Sequence, residues 1–317
     1  MKILHIGLPI GAIIKELSTR GEYKYIDWTE WTAIPGNVVN LRKHILKVAE
    51  EMKPDFCFMH IQTANVIDVE TAQTLDANCG QVINFTWDFR DPTPPWFIEI
   101  GKEIDMTVFT NQRDVDVLRC RGINAEFSLG GYDNDIFKPD GDIKEDGGEI
   151  VFMGNNYANE EINFPLTQSR IELVNRLRTK YGDRFRVYGF GWPGAQPLMH
   201  REKLEAAVYR NCKAAINYSH FEVDRYTSDR LLRIMGTGAL ALTHEYEGMN
   251  KDFTDGLNLV SWKNFDELEL IINSIIKDYG TDGKTELIQW SAGEVARRGH
   301  ALVSEKCTWK AFFDNYL

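Results

Sequence analysis

A chain of 317 residues, 43% hydrophobic and 26% charged, can bury two cores of ordinary size. Its formal net charge of −11 excludes broad, non-specific attraction to nucleic acid or to an anionic membrane, because neutralising phosphates requires a basic face. Five cysteines without a C-x-x-C pair argue against a disulfide framework or a zinc knuckle and fit a reducing cytoplasm, and no run of about 18 apolar residues offers a membrane span.

The first half alternates strand-like and helix-like patterns. Residues 2–6 read as a short buried strand, Gly7 to Gly11 as a turn and 13–18 as part of a helix, although the turn lacks the full dinucleotide fingerprint. Further strands are predicted at 25–28, 55–60, 82–87, 106–110 and 124–129, with helices at 38–52, 66–78 and 113–120. This rhythm makes an α/β domain with a parallel sheet, whose ligands sit at the carboxyl ends of the strands. Gly7, His60 and Gln62, and Asp88 to Asp91 occupy such ends. In the run from Thr86 to Phe97, Asp88, Arg90 and Asp91 lie between Trp87 and Trp96. Indole faces stack on sugar or base rings, and an aspartate there can orient or deprotonate a hydroxyl. We therefore take Gly7, His60, Trp87, Asp91 and Trp96 as ligand-contacting candidates and Asp88 as a catalytic one. The same run reads equally as a rigid proline turn with both tryptophans in the core.

Residues 130–148 are polar and turn-rich and form the predicted linker. A second series then begins: strand 149–153, the turn Gly154-Asn155-Asn156, helix 171–181, strand 185–188 ending in Gly189, helix 201–212, and strand 214–218 ending in Tyr218. Glycines at such strand ends permit close backbone approach to a ligand, or simply make tight turns. Arg170, Arg176, Arg178, Lys180, Arg184 and Arg186 form the densest basic cluster and read as a solvated helix face. The segment from Tyr226 to Thr243 carries the most chemistry. Thr227 and Ser228 suit a helix start, Leu231, Leu232 and Met235 suit its core face, and Gly236 and Gly238 suit its end before a buried strand at 239–242. A helix N-terminus offers unpaired amides and favours anions, and Arg230 and Arg233, one turn apart, add positive charge. A short helix at 249–253, a strand at 258–262, helices at 266–278 and 287–302, and a terminal helix at 304–317 complete the chain.

The motifs from Arg230 to Thr243, Gly248 to Phe253, Asp255 to Val260, the helix opening at Phe265, and Ala292 to His300 through Trp309 resemble the C-terminal half of CgeB-like glycosyltransferases and, more distantly, glycosyltransferase family 4. The likeness covers roughly residues 149–317 and implies a GT-B architecture of two Rossmann-like domains facing a central cleft. On that reading residues 1–138 form an acceptor-side domain, 139–303 a nucleotide-sugar-binding domain, and 304–317 a terminal helix able to pack back on the first. The implied reaction moves a sugar from a nucleotide-sugar to an acceptor hydroxyl, retaining, in the cytoplasm, with no metal and no cofactor beyond the co-substrate. Arg230 would stabilise the departing diphosphate. Gly154, Asn155, Gly189, Tyr218, Ser228, Arg233, Glu247, Gly248 and Met249 would line the donor.

One position departs from the pattern. Family 4 members carry a glutamate five residues before the glycine matching Gly238, and here Arg233 stands there, leaving the nucleotide, the sugar and the stereochemical outcome open. Glu222 matches the family's earlier glutamate or reads as an exposed loop carboxylate. The acceptor is equally open among a glycan, a small molecule and, in a phage-type enzyme using the basic cluster as a phosphate track, a hydroxymethylated DNA base. A nucleotide-sugar epimerase and a non-catalytic sugar-nucleotide-binding protein are the remaining alternatives.

Overall fold

The computed structural model describes residues 1–89, 91–141, 143, 148–158, 164–195, 202–278 and 291–317. Arg90, Arg201, the stretch 287–290 of the helix expected at 287–302, and residues 142 and 144–147 of the expected linker lie outside them. The chain separates into two compact units, one of Met1–Gly130 with Phe312–Leu317, the other of Gly131–Ala311.

Unit 1 holds strands β1 (Lys2–Gly7), β2 (Glu22–Asp27), β3 (Phe56–Met59), β4 (Val82–Thr86), β5 (Met106–Phe109) and β6 (Ala125–Phe127). They form one parallel sheet in the order β2-β1-β3-β4-β5-β6. Helices α1 (Gly11–Ser18), α2 (Trp28–Thr32), α3 (Val38–Met52), α4 (Val69–Asn78), α5 (Pro95–Gly101) and α6 (Gln112–Arg119) make the crossovers. α3 buries Leu41, Ile45 and Ala49, one stripe at helical spacing, in a core with Leu4, Ile6, Cys57 and Met59 of the sheet. The other sheet face carries His5, Phe58 and Phe85, against which Phe312 and Phe313 pack edge-on, Phe313 at 5.0 Å from Phe58. Trp28 is not the end of a strand as expected. Asp27 accepts from the Thr29 amide at 2.8 Å and so caps a short helix that starts at Trp28.

Unit 2 repeats the plan with β7 (Ile150–Met153), β8 (Phe185–Tyr188), β9 (Ala214–Asn217), β10 (Leu240–His244) and β11 (Val260–Trp262), all parallel, in the order β11-β10-β9-β7-β8. Its helices are α7 (Thr167–Tyr181), α8 (Glu202–Arg210), α9 (Asp229–Gly236), α10 (Phe265–Asp278) and α11 (Ala292–Lys306). Leu173, Val174 and Leu177 of α7 and Leu268 and Ile272 of α10 close over Phe152, Ile216, Leu242 and Trp262 of the sheet. The chain end is not one helix from 304. α11 runs to Lys306, and a new helix, α12 (Trp309–Asp314), restarts where the Thr308 hydroxyl accepts from the Ala311 amide at 3.1 Å.

Counted within each unit, both sheets share the order 2-1-3-4-5. The strand order therefore reverses between β1 and β3 in unit 1 and between β7 and β9 in unit 2. Ligands of open α/β sheets collect at that reversal, outside the carboxyl ends of the strands.

Candidate active site

In unit 2 the reversal point is crowded with cations. Arg170 lies on the same helical stripe as Leu173, Val174 and Leu177, so α7 drives it under the sheet's carboxyl edge rather than into solvent, and it is 1% exposed. Its Nη1 donates to the Tyr218 carbonyl, its Nη2 to the Asn155 carbonyl at 3.3 Å, and its guanidinium lies 5.1 Å from the centre of the Phe152 ring. Arg230, in the first turn of α9, reaches the same place. Its guanidinium is 5.9 Å from the Phe152 ring, and among the described residues its Nη1 makes only long contacts, 3.4 Å to Asn217 Oδ1 and 3.5 Å to the Tyr218 carbonyl. A methyl group built on Gly154 would stand 2.7 Å from Arg170 Nη2 and 3.0 Å from Arg230 Nη2, so the two guanidinium tips converge on one point. Among the described residues neither arginine has a carboxylate partner.

The loops around this point are held by their own hydrogen bonds. Gly154 N donates to the Tyr188 carbonyl at 2.9 Å, Trp192 Nε1 donates to the Gly154 carbonyl at 2.6 Å, and Asn155 Oδ1 accepts from Phe190 N at 3.0 Å. Gly189 has a φ of 126°, and a side chain there would meet the Gly154 carbonyl at 2.4 Å, so glycine is demanded by the packing of the two loops. Buried Asn217 ends β9. Its Nδ2 donates to the Thr227 hydroxyl at 3.0 Å and the Thr243 hydroxyl at 2.9 Å, while its Oδ1 accepts from Ser228 Oγ at 3.2 Å. Ser228 does occupy the N-cap position of α9, but its side chain makes no capping bond to the helix. The first-turn amides thus carry no side-chain cap.

His220 completes the surroundings, 5.1 Å from Tyr157 and 4.7 Å from Phe164 between ring centres. Burial, reinforced by Arg170 and Arg230, pushes its pKa down to about 2, so the imidazole is neutral. Arg170 is also pulled down, first by burial and then by Arg230. A guanidinium starts so high that it stays charged.

The structure brings Gly154, Asn155, Tyr218 and Ser228 of the sequence-predicted donor residues together with Arg230, predicted as catalytic, and packs Gly189 against Gly154. Arg233 has another employment. It pairs with Asp229 at 2.8 Å, Glu205 at 3.1 Å and Glu202 at 3.7 Å, and its guanidinium stacks on Phe137 at 5.1 Å. Burial alone would lower its pKa, but Asp229, Glu205 and Glu202 outweigh that and raise it; its charge is spent on α8 and α9. Glu247, Gly248 and Met249 lie in the loop after β10. Glu247 is exposed and its carbonyl accepts from Arg225 N at 2.7 Å, Met249 is buried, and Gly248, with φ of 72°, faces Asp224 so closely that no side chain fits. Glu222 stands 3.6 Å from His244. Of the basic cluster, Arg170 is buried, Arg176 pairs with Asp266 and Glu269, and Lys180 pairs with Glu269 at 2.5 Å, tying α7 to α10, while Lys180 and Arg184 are exposed.

In unit 1, Gly7 and His60 sit at the corresponding reversal, beside His5. A methyl group on Gly7 would lie 2.4 Å from His5 Nε2 and 3.3 Å from His60 Cβ. His60 is fully buried, edge-on to Trp87 at 4.6 Å, with no hydrogen-bond partner on either ring nitrogen among the described residues. Burial, with a smaller contribution from His5 at His60, takes both histidines down to about 3. Asp88 is exposed past β4. Asp91 is exposed too, and pairs with Arg113 at 2.8 Å. Trp96 stacks on Phe97 at 3.9 Å and packs against the apolar clusters, so that indole belongs to the fringe of the core.

Residues 170–317 match a family model described as glycosyl transferase-like. No curated protein matches the chain. Solved structures with the same architecture include HepE of Anabaena in complex with UDP and glucose, at 12% identity and a TM-score of 0.63 over 100% of this chain and 99% of that one. Sucrose-phosphate synthase of Thermosynechococcus elongatus follows at 12% identity and 0.62 over 99% and 96%, and a glycosyltransferase of Rickettsia africae at 11% and 0.60 over 99% and 96%. The chain has the GT-B fold. Arg170 opens the matched region, and Asn217, His220 and Arg230 lie inside it. Among the described residues no helix is long and apolar enough to cross a membrane.

Proposed function

We propose that this chain is a glycosyltransferase that moves a sugar from a nucleotide-sugar donor to an acceptor hydroxyl. The observation that carries the reading is Arg230: a cation with no salt bridge among the described residues, in the first turn of a helix whose N-cap residue makes no side-chain capping bond, at the strand reversal of a Rossmann-like unit. Such a place stabilises the charge that grows on a departing diphosphate. In the reaction the bond between the sugar's anomeric carbon and the diphosphate breaks as the acceptor oxygen bonds to that carbon. The electron pair leaves with the nucleoside diphosphate, and Asp88 is proposed to take the acceptor's proton. Gly154, Asn155, Tyr218, Ser228 and the loop of Glu247 to Met249 are proposed on the donor side, Gly7, His60, Trp87 and Asp91 on the acceptor side.

The HepE complexes support a uridine diphosphate sugar as the first donor to try, and the CgeB-like and family 4 motifs support a retaining transfer without a metal. The free cysteines accord with a reducing cytoplasm. The paired state of Arg176 and Lys180 speaks against duplex DNA as the acceptor.

The test is nucleoside diphosphate release from UDP-glucose and related donors with glycan and small-molecule acceptors. Arg230→Ala is expected to lower kcat on the order of 100- to 1,000-fold, the usual cost of one donor to a developing anion, with its melting temperature kept. Undiminished turnover in that variant, or no nucleotide binding by the wild type, refutes the assignment.

A further inference from the structure

We propose that Arg170 is a positioning residue of the donor diphosphate, and that the diphosphate supplies the counter-charge which Arg170, buried beside Arg230, lacks among the described residues. The proposal rests on the reading of this site as the donor site and adds a residue to it.

Burying an ionised group without an opposite charge is costly, and a guanidinium cannot escape by losing its proton. Arg170 is 1% exposed, and among the described residues its partners are two carbonyls and the face of Phe152. Carbonyl dipoles and a ring quadrupole lessen the cost but leave the charge standing. Arg230 adds a like charge whose tip meets that of Arg170 above Gly154. His220 stays neutral and contributes no charge. An anion above Gly154 would accept from one Nη2 of each arginine and turn repulsion into a clamp, which favours a diphosphate over a singly charged ligand. The other contacts of Arg170 join the Asn155 carbonyl after β7 to the Tyr218 carbonyl after β9. Binding the anion therefore fixes the two loops between which it lies. Arg170 positions; Arg230 meets the leaving charge.

The experiment titrates the full chain with inorganic pyrophosphate and with UDP, following the bound fraction and the ligand-induced rise in melting temperature. Wild type, Arg170→Met and Arg170→Lys are compared over a series of salt concentrations. Arg170→Met is expected to weaken pyrophosphate on the order of 10- to 100-fold through loss of a charge-assisted contact, to flatten the salt dependence, and to shrink the ligand-induced melting shift. Arg170→Lys keeps the charge and the salt dependence but cannot hold both carbonyls, so its donor KM rises several-fold with kcat changed less. A packing role alone would lower the melting temperature of the unliganded Met variant and leave pyrophosphate affinity and salt slope at wild-type values; that result overturns the proposal. If the Met variant does not fold, the Lys variant decides, and a wild-type KM in it has the same force. If the wild type binds neither pyrophosphate nor any nucleoside diphosphate, the donor-site reading fails as well.

Discussion

The guanidinium tips of Arg170 and Arg230 meet above Gly154, 2.7 and 3.0 Å from where that residue's side chain would begin. One cation comes from α7 and the other from the start of α9, and the glycine ending β7 leaves the room for both. This gives Gly154 a specific task. Gly154→Ala adds one carbon at the spot where an anion would be gripped, and the atoms it displaces are the far ends of two long side chains. The fold should tolerate it. Donor affinity should fall roughly tenfold or more, because a misplaced clamp loses charge-assisted hydrogen bonds. Isothermal titration with UDP beside a melting curve checks both halves, and wild-type affinity would show that the space above Gly154 is not the binding point.

Asn217 offers a sharper substitution because its carboxylate counterpart has the same shape. Its Oδ1 already faces Arg230 Nη1 at 3.4 Å and accepts from Ser228. Asn217→Asp would place the missing negative charge inside the protein, while the Thr227 and Thr243 hydroxyls turn to donate instead of accept. The unliganded variant should melt no lower than the wild type. Its affinity for a nucleoside diphosphate should drop on the order of 100-fold, since an internal carboxylate competes for the same cation. A variant that melts lower and binds normally would contradict the charge argument.

Arg233 illustrates what the sequence conveys and what it conceals. Its spacing from Arg230 put both on one helix, correctly, but helical spacing says nothing of which carboxylates another helix brings near, and α8 brings Glu202 and Glu205. Arg233→Met should therefore act on stability. It leaves Glu205, whose side chain is 12% exposed, without its partner, at a cost of about 2 kcal/mol, between that of an exposed and a fully buried broken pair. Urea unfolding measures this, and donor KM in the folded variant should stay near wild type.

Arg170 is the converse case. Placed by charge among solvated neighbours, it sits three, four and seven residues before Leu173, Val174 and Leu177, which is the apolar stripe of its own helix. That periodicity was the available signal, and an arginine on it needs a buried partner. The strand-helix alternation was legible in both halves because hydrophobic period alone carries it. The short helices were less so: α2 follows a capping pattern, Asp27 with Glu30 three residues on, and α5 begins on Pro95, a first-turn proline that also reads as a turn. Asn217 was masked by the apolar strand that it ends. Which polar residues converge depends on strand order, and the pairing of β7 with β9 joins segments more than 60 residues apart.

The buried histidines of unit 1 give a pH signature separable from the chemistry. His5 and His60 are pushed from their ordinary value near 6.5 down to about 3, above all by burial. The unfolded chain then takes up protons that the folded chain refuses between those values. Their contribution is complete above pH 6.5 and is lost progressively as pH falls toward 3. Each refused proton tilts stability by about 1.4 kcal/mol per pH unit within that window. Carboxylates titrate there too, so the quantity to measure is the difference between wild type and His60→Leu in urea unfolding at pH 7.5, 6, 5 and 4. The variant loses one such proton from the slope and removes two ring nitrogens that lack partners among the described residues, so it should be at least as stable at pH 7.5 and gain on the wild type as pH falls. Parallel pH profiles for the two proteins would mean that His60 takes up its proton in the folded state and that its ring nitrogens find water or a ligand.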